Sequence, residues 1–77
     1  MRDEVKQFAE LLGEQLEEWE ETGMQNWREN NPYLFFAMLK KQLPYLEREL
    51  LYETDKITTE AVAAATLAMM IATKSSV

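Results

Sequence analysis

The side chains of this sequence that could do chemistry are carboxylates, lysines and tyrosines. The 77 residues contain no histidine and no cysteine. Their absence excludes a zinc site with Cys or His ligands, a disulfide scaffold and a Ser–His or Cys–His nucleophile. General acid–base chemistry would therefore have to use the 14 Asp and Glu residues, Lys or Tyr.

The net charge limits the classes of molecule that this protein is expected to bind. The net charge is −6, which disfavours broad electrostatic binding to nucleic acid or to an anionic membrane surface. No apolar run reaches the length of a transmembrane helix. Charged residues rather than an apolar signal region follow Met1. We therefore expect a cytoplasmic protein that binds neither nucleic acid nor a membrane.

Helical periodicity predicts an all-α fold, beginning with a helix from about Asp3 to Thr22. Asp3 can cap its first turn, and Gly23 can end it in a left-handed conformation. Its apolar residues fall on one face, at Val5, Phe8, Leu12, Leu16 and Trp19. The opposite face carries an acidic row that comprises Glu10, Glu14, Glu17, Glu18, Glu20 and Glu21.

The second predicted helix opens with Asn31 as its N-cap and Pro32 at its first position. Pro44 predicts a kink rather than a break, because the leucine period continues through it. The helix is expected to fade around Tyr52 to Asp55. Before it, Trp27 is expected to plug the bundle from outside a helix. The predicted buried stripe consists of Phe35, Leu39, Leu43, Leu46 and Leu50.

The third predicted helix begins at Thr58 or Thr59, with Thr58 as its cap and Glu60 in its first turn, and runs to Thr73 or Lys74. Residues 61–72 are apolar on nearly all sides, which is typical of a helix that is buried all round. A chain of 77 residues can hardly bury such a helix alone. We therefore expect one domain over residues 1–77 that forms a homo-oligomeric bundle, a dimer or tetramer, around this helix.

Three apolar blocks carry a resemblance to a known family. They are the stretch from Val5 to Leu16, then Trp27 and Tyr33-Leu34 before the leucine-rich helix, then the Ala- and Met-rich stretch from Ala65 to Ala72. In these blocks the sequence resembles the MazG-like all-α nucleoside triphosphate pyrophosphohydrolases. The resemblance covers about Val5 to Lys74.

The resemblance implies a Mg²⁺ site that this sequence lacks. Family members hold the metal with an E-E-x-x-E motif on one helix and E-x-x-D on the next, and they cleave nucleoside triphosphates between the α and β phosphates. The first motif aligns with Lys41, Gln42 and Tyr45, and the second with Glu60 and Ala63. Four of the five carboxylates are absent, and Lys41 would repel a divalent cation. The resemblance therefore implies the family scaffold without its catalytic residues or cofactor.

A shifted alignment keeps an enzyme as the alternative. Glu49 and Glu53 are four residues apart and could face Glu60, which would give a carboxylate Mg²⁺ site. Against this, Leu46 and Leu50 occupy the buried stripe that the glutamates flank. The alternative reading of these residues is a solvated acidic edge.

Several surface features admit a second interpretation. The acidic row of the first helix is expected to face solvent, and the alternative is mimicry of nucleic-acid phosphates. A basic island of Lys40, Lys41, Arg28 and Arg48 is expected to be a solvated surface, and the alternative is that it binds an anionic ligand or an acidic partner. Packing in the core or in an interface is expected for the large side chains Trp19, Trp27, Tyr33, Tyr45, Tyr52, Met38, Met69 and Met70.

These observations favour a non-catalytic MazG-like oligomer of the accessory or inhibitor type known from phages. It would bind a protein or a nucleotide through its surface or its emptied cleft. The alternatives are a divergent Mg²⁺-dependent pyrophosphohydrolase that uses Glu49, Glu53 and Glu60, and a structural helical oligomer without a ligand.

Overall fold

Three long helices account for most of the chain in the computed structural model, which describes residues 2–75. They are α1 (Asp3–Glu21), α2 (Pro32–Leu51) and α3 (Ile57–Ser75), with a 3₁₀ turn at Trp27–Glu29 between α1 and α2. No strand occurs in residues 2–75, so the prediction of an all-α chain with three helices is confirmed. The ends of the predicted domain at Met1, Ser76 and Val77 lie outside the described residues.

The start of α1 differs from the prediction. Asp3 is the first helical residue and not the cap, because Arg2 occupies the cap position in an extended conformation without a side-chain hydrogen bond. Asp3 and Glu4 nevertheless lie in the first turn. There their negative charges meet the positive end of the helix dipole.

The end of α1 follows the predicted glycine signal. Gly23 has a φ of 131°, a value that side chains with a Cβ rarely adopt. The amide of Met24 donates to the carbonyl of Trp19 at 3.0 Å, the long-range bond of a Schellman-type helix end. This turn releases the chain toward the 3₁₀ segment that carries Trp27.

The second helix begins as predicted. The Asn31 side chain accepts a hydrogen bond from the amide of Tyr33 at 2.8 Å, and Pro32 is the first helical residue. The helix runs through Pro44 without splitting in two, as expected, and a kink at this residue stays a prediction. It ends at Leu51, close to where the pattern fades.

The third helix begins at least one residue earlier than predicted. It starts at Ile57, so Thr58 lies inside the first turn and is not the cap. The side chain of Thr54 accepts a hydrogen bond from the amide of Lys56 at 3.2 Å, which supports the chain just before the helix. Glu60 lies in the first turn, as predicted.

The third helix lies at the centre of the chain. It packs mainly against α2, less extensively against α1, and also against the 3₁₀ turn. Among the described residues no helix is both long enough and apolar enough to cross a membrane. Because α1 and α2 contact each other little, each of them keeps an outer flank that no part of the described chain covers.

The core lies where all three helices meet the 3₁₀ turn. Trp27, Phe35, Leu67 and Met70 are buried there, which confirms the prediction that Trp27 is a plug. Its ring meets the edge of Phe35, with centroids 6.2 Å apart, and its Nε1–H donates to the Glu20 carboxylate at 3.0 Å. These contacts make Trp27 the residue that joins the loop to the bundle.

Burial along the predicted stripes is incomplete. No residue of α1 is fully buried, and on α2 only Phe35 is. Leu43 and Leu50 were predicted to be buried, but they are 49% and 53% exposed. On α3, Val62, Ala63, Thr66, Leu67 and Met70 are buried within one chain, whereas Ala68 and Ala72 are exposed. The chain therefore covers two sides of α3 by itself.

We expect Trp27→Ala to lower the free energy of unfolding by about 3–5 kcal/mol, because it leaves a cavity at the centre of the core. Trp27→Phe keeps an aromatic ring but loses the hydrogen bond to Glu20, and should cost about 1–3 kcal/mol. Urea unfolding followed by circular dichroism measures both values. The control is Leu51→Ala, whose side chain is 73% exposed and which should change stability by about 0.5 kcal/mol or less. An equal loss in the control would show that Trp27 is not the plug.

Candidate functional site

The three glutamates of the predicted metal site lie in three different local environments. Glu49 is in the last turn of α2 and is half-buried, and its carboxylate accepts a hydrogen bond from the Thr54 hydroxyl. Glu53 lies beyond the end of α2 with a φ of 50° and is exposed. Glu60 is half-buried in the first turn of α3. The Glu60 carboxylate accepts a hydrogen bond from the Gln42 side chain. Two of the three carboxylates therefore have side-chain hydrogen-bond donors.

The structure does not assemble these carboxylates into a cation site. Within residues 2–75, no group of three or more acidic side chains is placed to hold a metal ion. The predicted pairing of Glu49 with Glu53 assumed that both residues belong to one helix. Because α2 ends at Leu51 and Glu53 adopts a left-handed conformation, the helical spacing does not apply to this pair.

Glu60 instead contacts the helix opposite it. The Gln42 side-chain amide donates a hydrogen bond to the Glu60 carboxylate, and this bond links α2 to α3. Gln42 is one of the positions where the resemblance aligns a metal-binding glutamate. An amide N–H is a neutral donor to a carboxylate, so one oxygen of Glu60 has a hydrogen-bond partner on α2.

The acidic row of α1 faces solvent, as expected. Glu10, Glu14, Glu17, Glu18 and Glu21 are exposed. Glu20 differs from them, because it accepts the Trp27 Nε1–H bond and pairs with the Arg28 guanidinium at 3.5 Å. The row therefore has one member with a structural role at the core. The remaining members are exposed, and their carboxylates hydrate this side of the molecule.

The predicted basic island is not assembled. Arg28 belongs to the 3₁₀ turn, where its guanidinium lies 4.5 Å above the Trp27 ring centroid. Lys40 extends over Phe36 at 5.8 Å, and Arg48 extends over Tyr45 at 5.7 Å. Lys40 and Lys41 lie on different flanks of α2, because consecutive helical positions differ by about 100° around the axis, and of these two only Lys41 shares a flank with Arg48.

Apolar and aromatic side chains instead occupy two outer flanks of α2. The first flank, which we call the tyrosine face, has the helical spacing 7, 4, 3 and 4 and consists of Leu34, Lys41, Tyr45, Arg48 and Tyr52. The second, which we call the leucine face, consists of Phe36, Lys40, Leu43, Glu47 and Leu50. All ten residues are exposed.

The tyrosines do not pack in the core of the chain, so packing in an interface stays a prediction for them. Tyr33, Tyr45 and Tyr52 are 73%, 53% and 74% exposed. Trp27 and Met70 are buried and Trp19, Met38 and Met69 pack against the core, as expected. Sequence reasoning missed the two faces because the apolar residues of α2 occupy more of its circumference than α3 can cover.

Comparisons of the chain with models of known protein families, with curated proteins and with solved structures found no match. The MazG-like family therefore stays a prediction that rests on the apolar blocks and on their order along the chain.

We expect Mg²⁺ or Mn²⁺ at about 10 mM to change the melting temperature by about 1 °C or less, because a cation stabilises the fold only where the native state binds it. Differential scanning fluorimetry at matched ionic strength measures this shift. Glu60→Gln is the control variant, since it removes the charge but keeps a side chain of the same size. A larger rise that disappears in this variant would restore the metal site.

Proposed function

We propose that this chain is a non-catalytic protein-binding module on a MazG-like scaffold, and that it binds a partner through the tyrosine face of α2. The observation that carries the proposal is the exposure of Tyr45 and Tyr52 beside Lys41 and Arg48 on one flank of a long helix. The partner presents apolar side chains together with a local cluster of carboxylates.

The environment of the carboxylates supports a non-catalytic function. A phosphate-cleaving metal site needs several carboxylate oxygens around one ion. Glu49 and Glu60 accept hydrogen bonds from Thr54 and Gln42, and Glu53 lies beyond the end of α2. Lys41, where the resemblance aligns a glutamate, is exposed on the tyrosine face. The position is thereby available to an outside partner.

The residue types of the tyrosine face support protein binding. Tyrosine and arginine are enriched among the residues that dominate binding energy in protein interfaces. Arg48 lies over the Tyr45 ring at 5.7 Å, a cation–π contact that holds both side chains in a defined arrangement. A helix also presents them on a rigid backbone, which lowers the entropy lost on binding.

The charges of this face select the partner. Lys41 and Arg48 are its charged members, so it favours carboxylates opposite them. The whole chain, however, carries a net charge of −6 and repels a broadly anionic molecule such as nucleic acid. The partner that satisfies both conditions is a protein with a small acidic patch, not a polyanion.

Selection of peptides from a displayed random library on the immobilised chain tests the proposal. We expect the enriched peptides to combine Asp or Glu with apolar residues. Tyr45→Ala and Arg48→Ala should each raise their Kd by about 30-fold, as truncation of a central interface residue costs about 2 kcal/mol. Fluorescence anisotropy of the labelled peptides measures the Kd.

Tyr33→Ala is the matched control, because Tyr33 is equally exposed on α2 but lies off the tyrosine face. Its Kd should change by about twofold or less. An equal loss in this variant would reject the tyrosine face as the binding surface. Release of pyrophosphate from a nucleoside triphosphate in the presence of Mg²⁺ would instead establish the enzyme.

A further inference from the structure

The leucine face of α2 has the repeat of a helix that pairs with another helix. Phe36, Leu43 and Leu50 are spaced by seven residues and are 43%, 49% and 53% exposed. Leu39 and Leu46 follow the first two by three residues and are half-buried beside them. Apolar residues that alternate at steps of three and four over a helix form the seam of a coiled coil. Within the described chain, only the edge of this seam that carries Leu39 and Leu46 is partly covered.

Two opposite charges flank the seam at the same repeat. Lys40 and Glu47 are also seven residues apart, and each follows a seam residue by four positions. Neither forms an ion pair within residues 2–75. The Lys40 ammonium lies 5.8 Å from the Phe36 ring, and this ring packs edge-on against Tyr33 at 5.7 Å. The charge pattern is therefore available to a molecule that docks on the face.

We propose that the leucine face binds a second copy of this chain, with the two α2 helices antiparallel and a two-fold axis at Leu43. About this axis Phe36 meets the partner copy's Leu50, and Leu43 meets its own counterpart. Lys40 then faces the Glu47 position of the other copy, and the symmetry repeats this pair. One face thus supplies both halves of the interface, as a two-fold dimer requires.

The charges decide the direction of the two helices. In a parallel pair in register the two-fold axis runs along the helices and places Lys40 and Glu47 of one copy on the opposite side of the seam from those of the other, so neither meets its opposite charge. In the antiparallel pair these residues of both copies lie on the same side of the seam, where each Lys40 meets a Glu47. With 20 residues, α2 is about 30 Å long, enough for the three seam layers of Phe36, Leu43 and Leu50.

This interface differs from the one predicted from sequence, which placed α3 at the centre of an oligomer. The two helices that flank α3 already cover two of its sides within one chain. The leucine face also lies on the flank of α2 that is opposite the tyrosine face. A dimer built on it would leave two tyrosine faces free, so the inference is independent of the proposed function.

Sedimentation equilibrium of the full chain tests the dimer. We expect the unmodified chain to sediment as a dimer and Leu43→Glu as a monomer, because the two introduced carboxylates would meet at the axis. Leu34→Glu is the matched control, since Leu34 is 48% exposed on the tyrosine face and should leave the dimer intact. Circular dichroism confirms that both variants keep their helices. A monomeric unmodified chain, or a dimer that survives Leu43→Glu but not Ala68→Glu, would overturn the proposal.

Charge exchange tests the antiparallel direction. Lys40→Glu and Glu47→Lys should each raise the dimer Kd about tenfold or more, because each turns two attractive contacts into repulsions. Mixing the two variants should restore dimers, with one copy of each per dimer, since the altered charges then face opposite charges. The double variant should dimerise like the unmodified chain. Failure of the mixture to form mixed dimers would overturn the antiparallel arrangement.

Discussion

The structure depends on the need to cover one helix that is apolar nearly all round. Within α3, residues 61–72 form about three turns without a charged side chain, and within the described residues only α1, α2 and the 3₁₀ turn pack against them. Removal of this apolar surface from water is favourable, so α1 and α2 both pack an apolar edge against α3. Trp27 closes the end of the bundle where the loop would otherwise leave Phe35 and Met70 open. The outer flanks of α2 are what remains uncovered after this packing.

Local signals predicted the elements well because they act over a few residues. Asn31 caps α2 by accepting from the amide two residues further on, and at the Gly23 turn the Met24 amide donates to the Trp19 carbonyl five residues before it. Such bonds do not depend on the rest of the fold. The prediction that Thr58 caps α3 is wrong. The Thr54 side chain accepts a hydrogen bond from the Lys56 amide just before the helix, and the helix begins at Ile57. Competing caps of similar strength lie a few residues apart, and sequence alone does not rank them.

Burial and the candidate site were harder to predict because they depend on how helices meet. The stripe from Phe35 to Leu50 is apolar throughout, yet Leu43 lies about 80° around the helix from Phe35 and points past α3. Periodicity gives the direction of a side chain but not whether another element covers that direction. Glu53 shows the same limit, since its spacing from Glu49 places it on one face only within a helix, and the helix stops at Leu51. A stripe wider than one neighbouring helix is the signal that could have indicated a second, exposed face.

The contact between Gln42 and Glu60 connects the internal packing to the outer surface. It joins α2 to α3 through a neutral donor and a single carboxylate, beside the apolar contacts between the two helices. In the alignment that the MazG-like resemblance implies, further metal-binding carboxylates on α2 would occupy the positions of Lys41 and Tyr45. These two side chains are exposed. On the MazG-like alignment that we propose, the positions that would carry those carboxylates hold the cationic and aromatic groups of the tyrosine face, so this flank of α2 cannot serve both as a cation site and as this binding surface.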